Sequence, residues 1–212
     1  DLKDNMWVNE KEKNGKEGVD DDGNGFVDDV HGYNFLSTYN VATGEGELMP
    51  VNWTREGDSG HGTHVAGTVA ARNNNGIGVA GVAGGDGTPD SGVRIMTCQL
   101  FSGNASCGTM NRAQAYKYAA DNGASIIQCS FGQDAGAVSS DASFEANYSF
   151  EYDAINYFMT NKAASNPVSG NFAIFATGND GKEVAGYPAA HYKYIGVSAF
   201  GPDYLPTSYT NY

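Results

Sequence analysis

Short apolar runs alternate with amphipathic stretches along most of the chain. Four runs rich in aliphatic and aromatic residues predict strands over 92–100, 125–130, 172–177 and 194–198. Two stretches with small or apolar residues at helical spacing predict helices over 61–71 and 111–121. Because the strand candidates are almost continuously apolar, they fit a parallel sheet covered by helices on both faces. The pattern predicts an open, doubly wound, mainly parallel α/β fold.

The segment 133–171 interrupts this alternation between the second and third strand candidates. It is polar, carries several Phe and Tyr residues, and predicts one helix over 150–162. A chain of 212 residues has the length of a single domain. We therefore interpret 133–171 as an insertion within one domain that spans residues 1–212.

Charge and composition narrow the range of partners. The chain has 12 Lys and Arg against 25 Asp and Glu, a formal net charge of −13, which argues against a nucleic-acid partner. No apolar run approaches the roughly 18 residues of a membrane span, so we expect no membrane partner either. Three cysteines cannot form a disulfide framework, although a single bridge between Cys98 and Cys107 stays open.

The most specific pattern is Asp-Ser-Gly-His-Gly-Thr-His over 58–64. A histidine in the first turn of a helix, between Gly60 and Gly62, presents its ring at the surface with backbone space beside it. Three interpretations of His61 remain open on the motif alone. It is a catalytic base, a structural residue, or one half of a metal pair with His64, although that pair lacks the glutamate of an HExxH zinc helix.

Other segments decide between these interpretations. Together with the histidine block, the segments 73–83, 126–132, 176–179 and 186–188 resemble, in order and spacing, the subtilisin-like serine peptidases. The resemblance covers essentially the whole chain apart from 133–171. It implies that His61 is the general base and that Asn179 stabilises the oxyanion. It also implies a peptide or protein substrate lying along these residues: Ser130, Phe131, Gly132, Ala176, Thr177, Gly178 and Gly186.

Small residues around the implied pocket predict a preference for large apolar side chains before the scissile bond. The catalytic set itself departs from the family pattern. The family orders its triad Asp, His, Ser, and here Asp58 and Asp90 do not end buried strands, while Gly108-Thr109-Met110 lacks the serine of the Gly-Thr-Ser-Met-Ala block.

We therefore interpret the chain as the central part of one catalytic domain, incomplete at both ends. Its expected partners are the remaining parts of that domain: an upstream strand with the aspartate and a downstream helix with the serine. A propeptide is a further partner left open. Alone, the chain is expected to hydrolyse nothing. The alternative is a catalytically silent subtilisin-like domain that binds peptides by strand addition.

An acidic loop near the start of the chain predicts a calcium site. Its pattern reproduces the first half of an EF-hand loop, with oxygen ligands at positions 1, 3, 5 and 9, a main-chain carbonyl at 7 and glycine at 6. Position 12 is His31, so a bidentate ligand must come from elsewhere, with Asp29 as the candidate, and a merely solvated acidic loop is the alternative. The expected ligands are Asp20, Asp22, Asn24, Phe26 through its carbonyl, and Asp28.

The family resemblance implies a second calcium site. Its ligands would be the side chains of Asp1 and Asn74 and the carbonyls of Ile77 and Val79. Calcium dependence together with a subtilisin-like cleft predicts a location outside the cytosol, either secreted or at the cell surface.

Overall fold

The computed structural model describes residues 1–54, 57, 59–161 and 170–212. Asp58 of the histidine block and Lys162, at the end of one predicted helix, lie outside the described residues. The chain divides into two compact units, Asp1–Asn111 and Arg112–Tyr212. Each unit is described separately below.

The first unit carries little regular structure, and much of its chain is loop. Its helices are α1 (Glu10–Lys13) and α2 (His61–Ala70), after a short 3₁₀ turn at Lys3–Asn5. Two parallel strands, β1 (Gly32–Asn34) and β2 (Thr97–Gln99), are paired with Gly32 opposite Thr97. Two shorter strands, β3 (Phe101–Ser102) and β4 (Ala105–Ser106), form an antiparallel hairpin.

A close backbone approach fixes β1 against β2. Gly32 has φ +117°, and a Cβ at this position would lie 1.9 Å from the carbonyl oxygen of Thr97, so only glycine fits. Behind the strand, the rings of Tyr33 and Phe35 pack edge to face with Phe26, at 4.9 and 5.7 Å between centroids. This aromatic cluster anchors the end of the acidic loop to the core.

The second unit is built on a three-stranded parallel sheet. Its strands are β5 (Ile126–Cys129), β6 (Phe172–Ala176) and β7 (Ile195–Val197), with β6 in the middle. Cys129 lies opposite Phe175, and Ala176 opposite Val197, so the carboxyl ends of the strands meet at one edge. The helices are α3 (Thr109–Asp121), nearly all of which belongs to this unit, α4 (Asp141–Asn147) and α5 (Ser149–Thr160).

The open, mainly parallel α/β architecture is confirmed, but residue burial along the strands alternates. Phe175 is 0 % exposed and packs against Tyr116 of α3 with 6.4 Å between ring centroids. Phe172 of the same strand is 50 % exposed. The face of β6 that carries Phe175 is therefore covered by α3.

Two predicted elements differ from the observed ones. The described residues of the segment, 133–161 and 170–171, contain two helices instead of one, because the Ser140 side chain caps α4 and the chain leaves helical geometry at Tyr148 (φ −121°, ψ 36°) before α5 begins. The strand predicted over 92–100 is shorter, because the N–H groups of Val93 and Ile95 donate to loop carbonyls instead of to a neighbouring strand.

Two further findings concern the cysteines and the possibility of a membrane-spanning helix. Cys98 and Cys107 are thiols rather than the two halves of a disulfide. Burial raises the pKa of the Cys98 thiol to about 12, so it is protonated at neutral pH. None of the described helices has the length and apolar character needed to cross a membrane.

Candidate active site

The predicted general base stands at the first turn of α2. Gly60 precedes the helix in a left-handed conformation (φ 74°), which turns the chain sharply into the helix at His61. The His61 N–H donates to the Ser59 Oγ at 3.2 Å, and the side chain is exposed. A Cβ on Gly62 would meet nothing within 4 Å, so the first turn of the helix is open at that position. The other end of the helix is anchored by the fully buried Ala70.

The acidic loop is organised around Glu12, which the sequence analysis did not identify. This side chain is 5 % exposed. Its Oε1 accepts hydrogen bonds from the N–H groups of Asp21 at 2.7 Å and Asp22 at 3.1 Å, and its Oε2 accepts from the Asp28 N–H at 3.0 Å. The only signal in the sequence was the missing carboxylate at position 12 of the loop.

Glu12 brings a third carboxylate to the predicted ligands. One carboxylate oxygen each from Glu12, Asp20 and Asp22 lie within 4.8 Å of one another. Burial, with a smaller effect from the negative charge of Asp22, raises the pKa of Glu12 above its usual 4.5. An oxygen-only donor set with several negative charges is the kind that Ca²⁺ prefers, so the residues present fit this ion.

The remaining predicted ligands of this loop make other contacts. The Asn24 Oδ1 accepts from the Phe26 N–H at 2.8 Å, and the Asn24 amide donates to the buried Asp29 at 3.0 Å. The Asp28 carboxylate accepts from the Gly18 N–H at 2.9 and 3.1 Å. The structure therefore brings Asp20 and Asp22 together with Glu12 and places the oxygens of Asn24 and Asp28 in hydrogen bonds within the loop.

At the second predicted metal site, the Asp1 carboxylate contacts the loop that carries the other predicted ligands. The Asp1 carboxylate accepts from the Asn75 side chain at 2.9 Å and from the Val79 N–H at 2.9 Å. The Asn74 side chain instead donates to the Asp86 carbonyl at 2.8 Å. Asn74 itself lies in a turn with φ 57°, and its role as a calcium ligand stays a prediction. Ile77 follows in the same loop, where its N–H donates to Asn75 at 2.9 Å.

The predicted substrate-binding segments of the second unit meet at the carboxyl ends of β5 and β6. The Gly186 N–H donates to the Thr177 carbonyl at 2.8 Å, and the Gln133 N–H donates to the Tyr187 carbonyl at 2.7 Å. A Cβ on Gly186 would lie 2.1 Å from the Gln133 carbonyl oxygen, and one on Gly132 would lie 3.0 Å from that of Tyr187. These glycines let three backbone segments touch, which makes a wall of main chain with few side chains.

The same network includes the other residues of the predicted cleft. Ser130, directly after β5, accepts at its Oγ from the Gln128 side chain at 2.8 Å. Phe131 lies between Ser130 and Gly132, and Ala176 ends β6. Gly178 follows with φ +106°, and Asn179 is exposed at the tip of the resulting turn.

A family model described as "Subtilase family" matches residues 18–212. The chain belongs to the subtilase family. This assignment agrees with the open parallel sheet and with the order of the motif segments, and it makes the chain part of a serine protease family.

Individual subtilases match with partial coverage. Subtilisin-like protease 1 of Plasmodium vivax is 48 % identical over 84 residues, which are 40 % of this chain and 11 % of that protein. The thermophilic serine proteinase of Bacillus sp. (strain AK1) is 32 % identical over 152 residues, 72 % of this chain and 31 % of that protein. The solved structure of the prenylagaramide maturation protease PagA is 27 % identical with a TM-score of 0.56, covering 74 % of this chain and 48 % of that one. The chain thus spans half or less of each of these subtilases.

Proposed function

We propose that this chain is the central part of the catalytic domain of a secreted, calcium-stabilised serine endopeptidase. The observation that carries the proposal is the meeting of 130–133, 176–178 and 186–187 at the carboxyl ends of β5 and β6, beside an exposed Asn179. Ligands of open α/β sheets bind at this end of the strands. Family membership supports assigning peptide-bond hydrolysis to that position.

His61 supplies the proton transfers of the reaction. Its imidazole accepts the proton of the attacking serine hydroxyl and later donates it to the leaving amine. The position of His61 at a helix start, exposed and with open space beside Gly62, supports this role. The serine and the orienting aspartate belong to motifs that this chain does not contain, so the chain alone hydrolyses nothing.

Asn179 supplies the hydrogen bond to the oxyanion. Attack on the scissile carbonyl places negative charge on its oxygen, and a fixed amide donor aimed at that oxygen lowers the barrier more in a dry cleft than it would in water. The turn at Gly178 brings the Asn179 side chain out of the sheet edge to a position that a substrate can reach.

The substrate is a peptide or protein bound in extended form. Ser130, Phe131 and Gly132 offer main-chain groups for strand addition. Ala176, Thr177, Gly178 and Gly186 line the pocket for the residue before the scissile bond. Because the Ala176 side chain is small and the rest of the wall is mostly main chain, this pocket accepts large aromatic or aliphatic residues. The matched structure PagA is itself a maturation protease, which supports a peptide substrate here.

Calcium stabilises the first unit. Glu12, Asp20 and Asp22 hold the ion, with Asn24, the Phe26 carbonyl and Asp28 as the further ligands that the EF-hand pattern implies. Asp1, Asn74, and the Ile77 and Val79 carbonyls form the second site that the family resemblance implies. The ion neutralises clustered carboxylates and takes no part in the proton transfers. High free calcium outside the cell supports secretion or surface exposure.

The direct test is peptide hydrolysis by the full-length gene product. We expect it to cleave after large apolar residues, and His61→Ala to lower kcat by roughly a million-fold. His64→Ala is the matched control, since His64 is also exposed on α2, and its kcat should fall by less than tenfold. Peptide binding with no turnover by the wild-type protein would instead support a silent peptide-binding domain. Cleavage mainly after charged residues would contradict the pocket assignment.

A further inference from the structure

One buried asparagine near the end of the chain contacts the Asn179 turn on both sides. Asn211 is 0 % exposed. Its Oδ1 accepts from the N–H groups of Asp180 at 3.0 Å and Lys182 at 3.1 Å. Its Nδ2 donates to the Thr177 carbonyl at 3.0 Å and to the Asp180 carboxylate at 3.0 Å. The side-chain amide thus uses both of its lone pairs and both of its N–H groups on this one turn.

The main chain of Asn211 adds to these contacts. Its N–H donates to the Gly178 carbonyl at 3.1 Å. Its carbonyl accepts from the Thr177 Oγ1 at 2.8 Å and from the Ser198 Oγ at 2.8 Å. Together these bonds hold the residues immediately before and after Asn179 and tie the turn to the residue that follows β7.

Gly178 and Asn211 also fit each other sterically. A Cβ on Gly178 would lie 2.4 Å from the Asn211 Nδ2, and Gly178 has φ +106°. The Asn211 amide therefore occupies the space that a side chain at 178 would fill. The glycine allows the backbone to turn, and the asparagine side chain packs against this turn and forms hydrogen bonds with it.

We propose that Asn211 is a positioning residue that holds the Thr177–Asp180 turn in the geometry in which Asn179 meets the oxyanion. This inference rests on the proposed role of Asn179. A donor that is already oriented needs no reorganisation during the reaction, and a misplacement of about 1 Å can lower a rate by roughly a hundredfold. A fully satisfied buried amide favours a single conformation of the groups that it bonds.

The first experiment compares two buried asparagines in the full-length gene product. Asn171 is 6 % exposed, and its Nδ2 donates to the carbonyls of Phe158 and Asn161 at the end of α5. Asn211→Ala and Asn171→Ala each remove a buried amide and should lower stability. We expect only Asn211→Ala to lower kcat, by about ten- to a hundredfold, with KM changed less than about threefold. Equal kcat values in the two variants would overturn the inference.

A double-mutant cycle separates positioning from general loss of structure. If Asn211 acts through Asn179, then Asn211→Ala should lower kcat by less than about threefold in an Asn179→Ala background. An undiminished effect of Asn211→Ala in that background would show that it does not act through Asn179. If Asn211→Ala fails to fold, the exposed Asp180→Ala removes one bond of the network, and we expect it to lower kcat about threefold to tenfold.

Amide hydrogen exchange tests the same inference without any catalysis. Asn211→Ala should speed exchange at the Asp180 and Lys182 N–H groups, while Asn171→Ala should not. If the wild-type protein hydrolyses no peptide, the proposed function fails, and this exchange still decides whether Asn211 holds the turn. If hydrolysis occurs, is slowed by Asn179→Ala and is unaffected by Asn211→Ala, then the positioning role fails and the function stands.

Discussion

Two loops of this protein are each held by one buried side chain that comes from outside the loop. In the first unit, Glu12 gathers three N–H groups of the acidic loop. In the second, Asn211 gathers two N–H groups, a carbonyl and a carboxylate of the Asn179 turn. Both side chains are nearly inaccessible, and both reach their loop from a separate part of the chain.

The two loops differ in charge. A carboxylate only accepts hydrogen bonds, so Glu12 satisfies amides while adding a negative charge close to Asp20 and Asp22. A neutral amide both accepts and donates, so Asn211 completes its network with groups of the protein itself. We infer that the acidic loop depends on a cation, whereas the hydrogen bonds of the Asn179 turn are satisfied without one. A site that must hold one geometry at all times is better served by the second arrangement.

The largest effect on stability is expected from the loss of calcium from the acidic loop. At about a thousand times its Kd, one bound ion raises the free energy of unfolding by roughly 4 kcal/mol. Chelation should therefore lower the melting temperature by on the order of 10 °C. Calorimetry with and without a calcium chelator measures the shift.

Two variants in α1 sharpen this test. Glu12→Gln should reduce the calcium-dependent shift, because it removes one of the facing charges and one of the two ligand oxygens. Glu10→Gln, an exposed position in the same helix, should leave the shift unchanged. An equal shift of the melting temperature with calcium in the wild type and in Glu12→Gln would contradict the inference that the acidic loop depends on a cation held by Glu12.

Alanine substitutions at two glycines, one in each loop, should lower the free energy of unfolding by a smaller amount. At Gly25 (φ +93°) a Cβ would meet nothing within 4 Å, so alanine adds only backbone strain of about 1 kcal/mol. At Gly178 the same strain is joined by the clash with Asn211, so we expect a loss of about 3 kcal/mol. Urea unfolding of both variants without calcium measures the difference. Similar losses would mean that the turn is packed as loosely as the acidic loop.

The smallest effect is a pH dependence of the calcium-free protein. Because the pKa of Glu12 is raised in the folded state, its contribution to stability is fully present below pH 4.5 and is lost as pH rises through the raised value. The free energy of unfolding of the wild type, relative to Glu12→Gln, should therefore fall as pH rises above 4.5. A relative rise over that range would contradict a pKa of Glu12 raised by burial.

The elements that could be predicted from the sequence are those with a signal in the neighbouring residues. The helix beginning at His61 follows from its flanking glycines and its helical spacing of small and apolar residues, and the cleft segments were identified by their resemblance to the subtilisin-like peptidases. Glu12 and Asn211 could not be found in this way, because each acts on a loop elsewhere in the chain and neither stands in a motif. The contact of Asn75 with Asp1 also had no local signal, since three asparagines follow each other and only the observed hydrogen bonds distinguish them.

The most direct test of the account is covalent labelling of the full-length gene product with a fluorophosphonate, which reacts with an activated serine. The wild-type protein should be labelled at one serine, and labelling should be lost in His61→Ala, because that serine hydroxyl has no other base to deprotonate it. Labelling that proceeds equally well without the imidazole would contradict the assignment of His61 as the base and, with it, the proposed peptidase mechanism.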